Sequence, residues 1–189
     1  MEDKSHLFKV IKSRRSIMPN QFNNFLIDDK DIKQILEAAN WAPTHKKTEP
    51  WRYKVLKNQT KDDFGKFLGQ KYKESTPNFS KFKYNNLIEK TKKSSAIILI
   101  CMQRDPNESL PEWEEIASVS MSVQNMWLMA TNLKIGAYWS SPKLINSVGE
   151  FIPLNEGESC LGIFYMGKYD NQKFFRNPRP IDDKVKWFN

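Results

Sequence analysis

The sequence is poor in the residues that build several common catalytic sites. It contains only two histidines and two cysteines, which are too few for a histidine-rich metal site. The cysteines, Cys101 and Cys160, lie in separate apolar runs, so we expect buried, reduced thiols and a reducing compartment. The seven glycines form neither of the usual phosphate-cradling motifs, and nucleophile-elbow and CxxC patterns are also missing. If the protein is an enzyme, we expect a bound cofactor to carry the reaction.

Long apolar runs are missing as well. No run approaches the ~18 residues that a membrane span needs, and residues 1–10 hold no apolar core of a secretory signal. We therefore expect a cytoplasmic protein without a membrane partner. Hydrophobic residues make up 39% of the 189-residue chain, which is enough to bury a core. We expect one α+β domain over residues 1–189, with residues 170–189 as an extended, proline-rich tail.

The formal net charge is +8, from 30 Lys and Arg against 22 Asp and Glu. A positive net charge of this size favours binding to nucleic acids, whose phosphates attract clustered Lys and Arg. The lysines of residues 71–93, however, alternate with acids, aromatics and amides, which is typical of a solvated face. A basic nucleic-acid-binding domain is therefore the weaker alternative, and an anionic small ligand also suits the charge.

Hydrophobic periodicity predicts a mixture of helices and strands. The predicted helices share an apolar face, and they cover residues 6–12, residues 29–40 and a long segment that follows Pro111 and ends at Gly136. The predicted strands are apolar or alternating, and they cover residues 51–56, 96–101 and 160–166.

Local signals refine this assignment. Asp28 is a plausible N-cap for the second helix, and Thr60 opens another helix in a loose capping-box arrangement. Pro142 should occupy the first position of a later helix, where its missing N–H costs nothing. Alternation places Val55 on the buried side of its strand. We expect residues 73–93 to form short helices and loops on the surface.

Four segments carry groups that suit an anionic or planar ligand. Arg14, Arg15 and Ser16 offer two guanidinium groups and a hydroxyl to a phosphate dianion, although their spacing alone favours an exposed basic helix end. Residues 42–50 form a donor-rich loop between two prolines, suited to a planar polar ring, although solvent exposure alone also accounts for its lysines. Residues 136–141 place an aromatic ring beside two hydroxyls, or simply hold core and cap residues. Arginines of the tail are either surface charges or ligands.

Taken in order, these segments resemble the nitroreductase family of flavoproteins, in its compact, minimal branch. The motifs are RRS at residues 14–16, APxHKxxxPWR at 42–52, YWSS at 138–141, LGxFYMG at 161–167 and a final RP at 179–180. The resemblance spans nearly the whole chain and is weakest over residues 58–94. The sequence departs from the pattern in three places: Met18 replaces a basic residue found in many relatives, Trp41 replaces the branch's arginine, and residues 47–49 (Lys, Thr, Glu) replace polar amides.

The resemblance implies a nitroreductase-like three-layer α+β sandwich, with a mostly antiparallel central sheet flanked by helices. It further implies an intertwined homodimer with two FMN sites at its interface. The matching residues for the FMN phosphate and ribityl chain are Arg14, Arg15 and Ser16, with Arg179 helping to neutralise the phosphate. The matching residues around the ring are Pro43, Thr44, His45 and Lys46 of the other subunit, together with Trp139, Ser140 and Ser141.

The activity implied is the transfer of hydride from NAD(P)H through flavin N5 to a nitroaromatic, quinone or other electron-poor acceptor, by a ping-pong mechanism. No side chain is then catalytic, because the flavin carries the electrons, and no metal is needed. Lys46 or Lys47 is expected to favour reduction by placing a cation near the ring's N1 and C2 oxygen. The alternative within the same fold is a flavin-binding protein without turnover, which stores, senses or degrades the cofactor.

Overall fold

The computed structural model describes residues 5–170 and 175–188. Its centre is a sheet of four strands in the order β1-β2-β4-β3, in which every neighbouring pair is antiparallel. The strands are β1 (Trp51–Lys57), β2 (Ala96–Gln103), β3 (Gly136–Ser140) and β4 (Glu158–Gly167). β2 and β4 occupy the middle and are buried on both faces, which explains why their sequences are apolar without alternation.

Helices cover both faces of this sheet. They are α1 (His6–Ser13), α2 (Asp29–Asn40), α3 (Asn58–Ser75), α4 (Lys81–Lys93) and α5 (Glu112–Asn132). Ile98 and Ile100 of β2 belong to the core beneath α2 and α5, whereas Ile97 and Leu99 belong to the core beneath α3. The result is a three-layer α+β sandwich with an antiparallel central sheet, as expected from the sequence. No helix in the described residues is both long and apolar enough to cross a membrane.

The helices predicted at 6–12 and 29–40 and the strand predicted at 51–56 agree with α1, α2 and β1 to within one residue. Two details within them differ from the prediction. Asp28 occupies the N-cap position of α2, but its side chain makes no capping hydrogen bond. In β1 the alternation misplaces Val55, which is 39% exposed, while Leu56 on the opposite face is only 2% exposed. The reason is that α3 covers this second face, so Leu56 joins the core around Phe64.

The prediction of short helices and loops on the surface over residues 73–93 is confirmed in outline, because a loop at 76–80 separates the end of α3 from the mostly exposed α4. Residues 81–93 form one continuous helix, α4, which packs along α3. Glycines of α3 permit this close approach, because a Cβ on Gly65 would lie 2.0 Å from Thr91 Oγ1, and one on Gly69 would lie 3.0 Å from the Tyr84 ring. α4 has no strong apolar stripe, so its periodicity did not define its bounds. The predicted capping box was wrong: α3 begins at Asn58, so Thr60 lies inside its first turn.

Two further boundary predictions were wrong. Gly136 does not end α5; Lys134 adopts the left-handed conformation after the helix, with φ of 56°. Gly136 begins β3, where a Cβ would lie 2.9 Å from the Phe22 ring and 3.0 Å from Ile17 Cβ. Pro142 sits at the N-cap position rather than the first helical position, and the segment that follows it, Lys143–Glu150, is a 3₁₀ helix.

Candidate functional site

The basic segment after α1 lies against the second half of α5. Arg14 is the residue at the C-cap of α1, and its guanidinium stacks on Trp127 with Cζ 4.7 Å from the ring centroid. Burial lowers the pKa of Arg14, and the positive charges of Arg176 and Arg15 lower it further. Arg15 and Arg176 therefore both lie close enough to Arg14 to repel its charge, and we call the three residues the arginine cluster.

Arg176 reaches this cluster from the tail. Together with Pro178 it lines a cavity of about 220 Å³ whose other wall is formed by Ile11 and Lys12 of α1. Within the described part of the chain, no carboxylate forms an ion pair with Arg14 or Arg176. The closely placed guanidinium groups of Arg14 and Arg176 make the kind of site that a phosphate dianion fits.

Backbone hydrogen bonds hold the basic segment beside the edge of the sheet. The Trp127 indole N–H donates to the Arg15 carbonyl at 3.2 Å, and the Ile17 N–H donates to the Ala137 carbonyl of β3 at 3.0 Å. Ser16, between these two anchors, is exposed. The segment that carries the arginines is therefore fixed to both α5 and β3.

Trp139 of β3 lies on the same face of the sheet as Trp127. It is the register partner of Phe164 on β4, whose ring Trp127 contacts edge-on at 5.7 Å. The Trp139 indole lies over Gly162, where a Cβ would be only 2.1 Å from Nε1.

The indole nitrogen of Trp139 is unsatisfied. Nε1 is buried, and no acceptor within the described residues bonds to it. Leaving a buried donor unpaired costs about 1–3 kcal/mol, so this atom marks a place for an acceptor on a ligand. Ser140, which is half-buried, ends the strand, and the exposed Ser141 follows it.

The loop before β1 is held in an unusual conformation. Lys46, Lys47 and Glu49 have φ values of 50°, 56° and 42°, in the left-handed region that non-glycine residues rarely adopt. Thr44 stabilises the loop, because its Oγ1 accepts the Glu49 N–H at 3.2 Å. Strain of about 1–3 kcal/mol for each such residue persists only where the surroundings enforce it, and it is typical of functional sites.

Two side chains tie this loop to the segment around the start of α5. His45 Nδ1 lies 2.7 Å from Glu114 Oε2, and Lys46 Nζ donates to the Ser109 carbonyl at 3.0 Å. Between the loop and α5 runs a groove of about 370 Å³, whose lining includes Pro43, Thr44, His45, Trp113 and Met121. We call it the loop groove.

A buried ion pair fixes the helix end that forms one wall of the loop groove. The Glu115 side chain is fully buried and pairs with Arg104, which precedes α5. Its other carboxylate oxygen accepts the Asp105 N–H at 2.9 Å. The first turn of α5 is therefore anchored, and Glu114, the residue before Glu115, holds His45 in a defined place.

The predicted ligand-binding residues fall into two groups within one chain. Arg14, Arg15, Ser16 and Trp139 to Ser141 lie by the second half of α5, whereas Pro43 to Lys46 lie by its first half. Ala117 of the loop groove and Trp127 are ten residues apart, which is about 15 Å along a helix. The structure does not bring the two groups together around one cavity of a single chain.

The sequence did not single out two residues that the structure places at these sites. Glu114 belongs to the acidic start of α5, and nothing in its spacing links it to His45. Arg176 carried no stronger signal than Arg179, yet it is Arg176 whose charge reaches Arg14. Arg179 is exposed, and its carbonyl accepts a hydrogen bond from Lys184 Nζ at 3.0 Å.

Comparison with known families identifies the class of protein to which this layered fold and its arginine cluster belong. The family model described as "Nitroreductase family" matches residues 11–168. The chain belongs to this family.

Individual relatives agree with the family assignment. The chain is 29% identical to "Putative NAD(P)H nitroreductase YfhC" of Bacillus subtilis over 183 residues, which cover 95% of this chain and 93% of that protein. Among solved structures, a nitroreductase-like family protein from Bacillus cereus superposes with a TM-score of 0.80 at 25% identity, covering 100% of this chain and 98% of that one. A nitroreductase from Bacteroides fragilis, solved with bound FMN, has a TM-score of 0.72 at 15% identity, covering 98% and 100%.

Proposed function

We propose that this chain is an FMN-dependent oxidoreductase that takes electrons from NAD(P)H and passes them to a small electron-poor acceptor, such as a nitroaromatic or a quinone. The observation that carries the proposal is the position of the arginine cluster next to β3, the strand that carries the buried, unsatisfied indole of Trp139. Family membership supports an oxidoreductase, and the names of relatives include NAD(P)H and FMN.

The arginine cluster suits the phosphate end of FMN. The charges of Arg176 and Arg15 repel that of Arg14, and a dianion beside Arg14 would replace this repulsion with charge-assisted hydrogen bonds. Ser16 adds an exposed hydroxyl for the ribityl chain. We retain Arg179 as a further phosphate contact, which requires the tail to move it toward the cluster.

Trp139, Ser140 and Ser141 suit the edge of the flavin ring. The Trp139 N–H is buried and lacks an acceptor, and a ring nitrogen or carbonyl oxygen would supply one. Of the two candidate lysines, Lys46 already donates to the Ser109 carbonyl. Lys47 is therefore the better candidate for a cation that favours the reduced ring, which carries negative charge.

We further propose that each site is completed by a second copy of the chain. Within one chain the loop groove and the arginine cluster lie at opposite halves of α5, so Pro43, Thr44, His45 and Lys46 would approach the ring from the second copy. Large apolar side chains near both sites support this arrangement: Trp41 and Trp113 are 79% and 67% exposed. Aromatic side chains are enriched at interfaces between proteins.

When bound, FMN supplies the N5 atom that accepts hydride from NAD(P)H and returns it to the acceptor. The chain's own residues would bind and orient the cofactor. The arginine cluster would hold the phosphate end of the cofactor, the Trp139 N–H would offer a hydrogen bond to the ring, and His45 of the second copy, held by Glu114, would contact the ring. No side chain needs to be a catalytic acid in the first step, so positioning and electrostatics are the contribution of the protein.

The test is the visible spectrum of the purified protein, followed by anaerobic titration with NADH and with NADPH. We expect a yellow protein whose flavin band is bleached by at least one of the two and restored by a quinone or nitroaromatic. A yellow protein that neither nucleotide bleaches would favour a flavin-binding protein without turnover. A colourless protein that does not bind FMN would contradict the proposal, and binding to DNA that weakens steeply with salt would favour a nucleic-acid-binding domain.

A further inference from the structure

The two cysteines of the chain face each other across the centre of the sheet. Cys101 of β2 and Cys160 of β4 are direct register partners, although 59 positions separate them in the sequence. Both are free thiols in the buried core beneath α3. Neither belongs to the candidate FMN site, so their pairing is unexplained by the proposed function.

The register places the two thiols within reach of a covalent bond. Directly opposed residues of antiparallel strands have Cα atoms about 4.5–5.5 Å apart, within the range of about 4.4–6.8 Å that disulfides span. The pairing also shifts at this point: Ile100 is opposite Gly162 and Cys101 is opposite Cys160, which leaves Leu161 as a bulge. A bulge interrupts the hydrogen-bond ladder locally, so the strands can adjust here at lower cost than elsewhere.

The two thiols differ in reactivity. Cys160 is 8% exposed and Cys101 is fully buried. The hydrogen bond with Cys160 and burial both raise the pKa of the Cys101 thiol. Because a small oxidant must reach the sulfur, the partly exposed Cys160 is the thiol that reacts first.

We propose that Cys101 and Cys160 form a reversible intramolecular disulfide when the protein meets hydrogen peroxide. The Cys160 thiolate attacks one peroxide oxygen; the S–O bond forms, the O–O bond breaks, and the departing hydroxide takes up a proton to become water. The Cys101 sulfur then attacks the sulfenic sulfur of Cys160; the S–S bond forms and the S–O bond breaks, releasing a second water. Two thiols and one peroxide give one disulfide and two waters, and a dithiol reductant reverses the oxidation.

The proposal is tested on the folded, full-length protein treated with hydrogen peroxide and then denatured. We expect the number of titratable thiols to fall from two to zero, and peptide mapping without reductant to show a peptide of Cys101 joined to one of Cys160. Dithiothreitol should restore both thiols. Retention of both thiols after exposed methionines have been oxidised would overturn the proposal, and so would a disulfide found only between two chains.

Two single variants form a matched pair for the order of the steps. In Cys101→Ser, Cys160 should stop at the sulfenic acid, which dimedone traps. In Cys160→Ser, the buried Cys101 should oxidise at least about tenfold more slowly than Cys160 does in the wild type. Equal oxidation rates of the two remaining thiols would contradict the assignment of Cys160 as the attacking thiol. The measurement on the wild-type protein stands even if either variant fails to fold.

Discussion

Replacing Arg14 by alanine removes the guanidinium that stacks on Trp127 and faces the charge of Arg176. If this group binds the FMN phosphate, the variant loses a charge-assisted hydrogen bond, which contributes about 1.5–3 kcal/mol. That loss corresponds to an increase in the Kd for FMN of about 10-fold to 150-fold. The free protein should change little in stability, because the lost stacking on Trp127, about 0.5–1 kcal/mol at such sites, is offset by relief of the repulsion within the arginine cluster.

Riboflavin makes this prediction specific, because it carries the same ring without the phosphate. We expect Arg14→Ala to weaken FMN binding strongly and riboflavin binding hardly at all, as measured by calorimetry or flavin fluorescence. Arg14→Lys should give an intermediate Kd, since it keeps the charge but loses the planar, bidentate group. Lys83→Ala is the matched control: it removes one positive charge from exposed α4, on the other side of the sheet.

An unchanged Kd for FMN in Arg14→Ala would refute the phosphate assignment. Equal losses of FMN and riboflavin affinity would refute it too, since the defect would then lie at the ring or in the fold. A loss of the same size in Lys83→Ala would show that overall charge, rather than the arginine cluster, attracts the cofactor.

Three further predictions concern the supports of the site and the stability of the fold. Gly162→Ala places a Cβ 2.1 Å from Trp139 Nε1; it should cost about 1–3 kcal/mol through overpacking and lower the bound flavin, as measured by urea unfolding and flavin content. Glu115→Gln leaves Arg104 without its buried counter-charge and should cost about 2–4 kcal/mol; a wild-type urea midpoint would contradict this. Burial raises the pKa of Glu158, but hydrogen bonds from an amide and a lysine outweigh it, and its pKa lies below the ordinary 4.5. Because the folded pKa is the lower one, this stabilisation is present above pH 4.5 and is lost as the pH falls through the folded pKa. Glu158→Gln should therefore show a flatter fall in stability below pH 4.5 than the wild type, and identical profiles would be the contrary result.

Much of the fold could be predicted because its central elements have one environment along their length. β2 is buried on both faces, so its unbroken apolar run is unambiguous, and the apolar face of α5 recurs over several turns. The errors and omissions occur where contacts between residues distant in the sequence determine the local structure. α4 packs through glycines of α3 rather than through an apolar stripe, and Gly136 is required by the closeness of Phe22 and Ile17, which no local pattern contains.

In the candidate site, too, some residues could be found from local sequence patterns and others could not. Arg14 and His45 could be proposed because several short motifs occur in the order that resembles a known family, although neither segment is decisive alone. Glu114 and Arg176 could not, because their importance depends on which distant residue they meet in space. The partnership of Cys101 and Cys160 was likewise invisible, since it is set by the register of two strands that the sequence separates widely.

The central claim is that one FMN site combines the arginine cluster of one chain with the loop groove of another. The most direct measurement is FMN titration of a purified heterodimer that pairs an Arg14→Ala chain with a His45→Ala chain. If the sites are shared, one site of the heterodimer collects both defects and the other collects none, so half of the sites should bind FMN with wild-type affinity. A heterodimer in which no site binds with wild-type affinity would contradict the claim, because both residues would then act within a single chain.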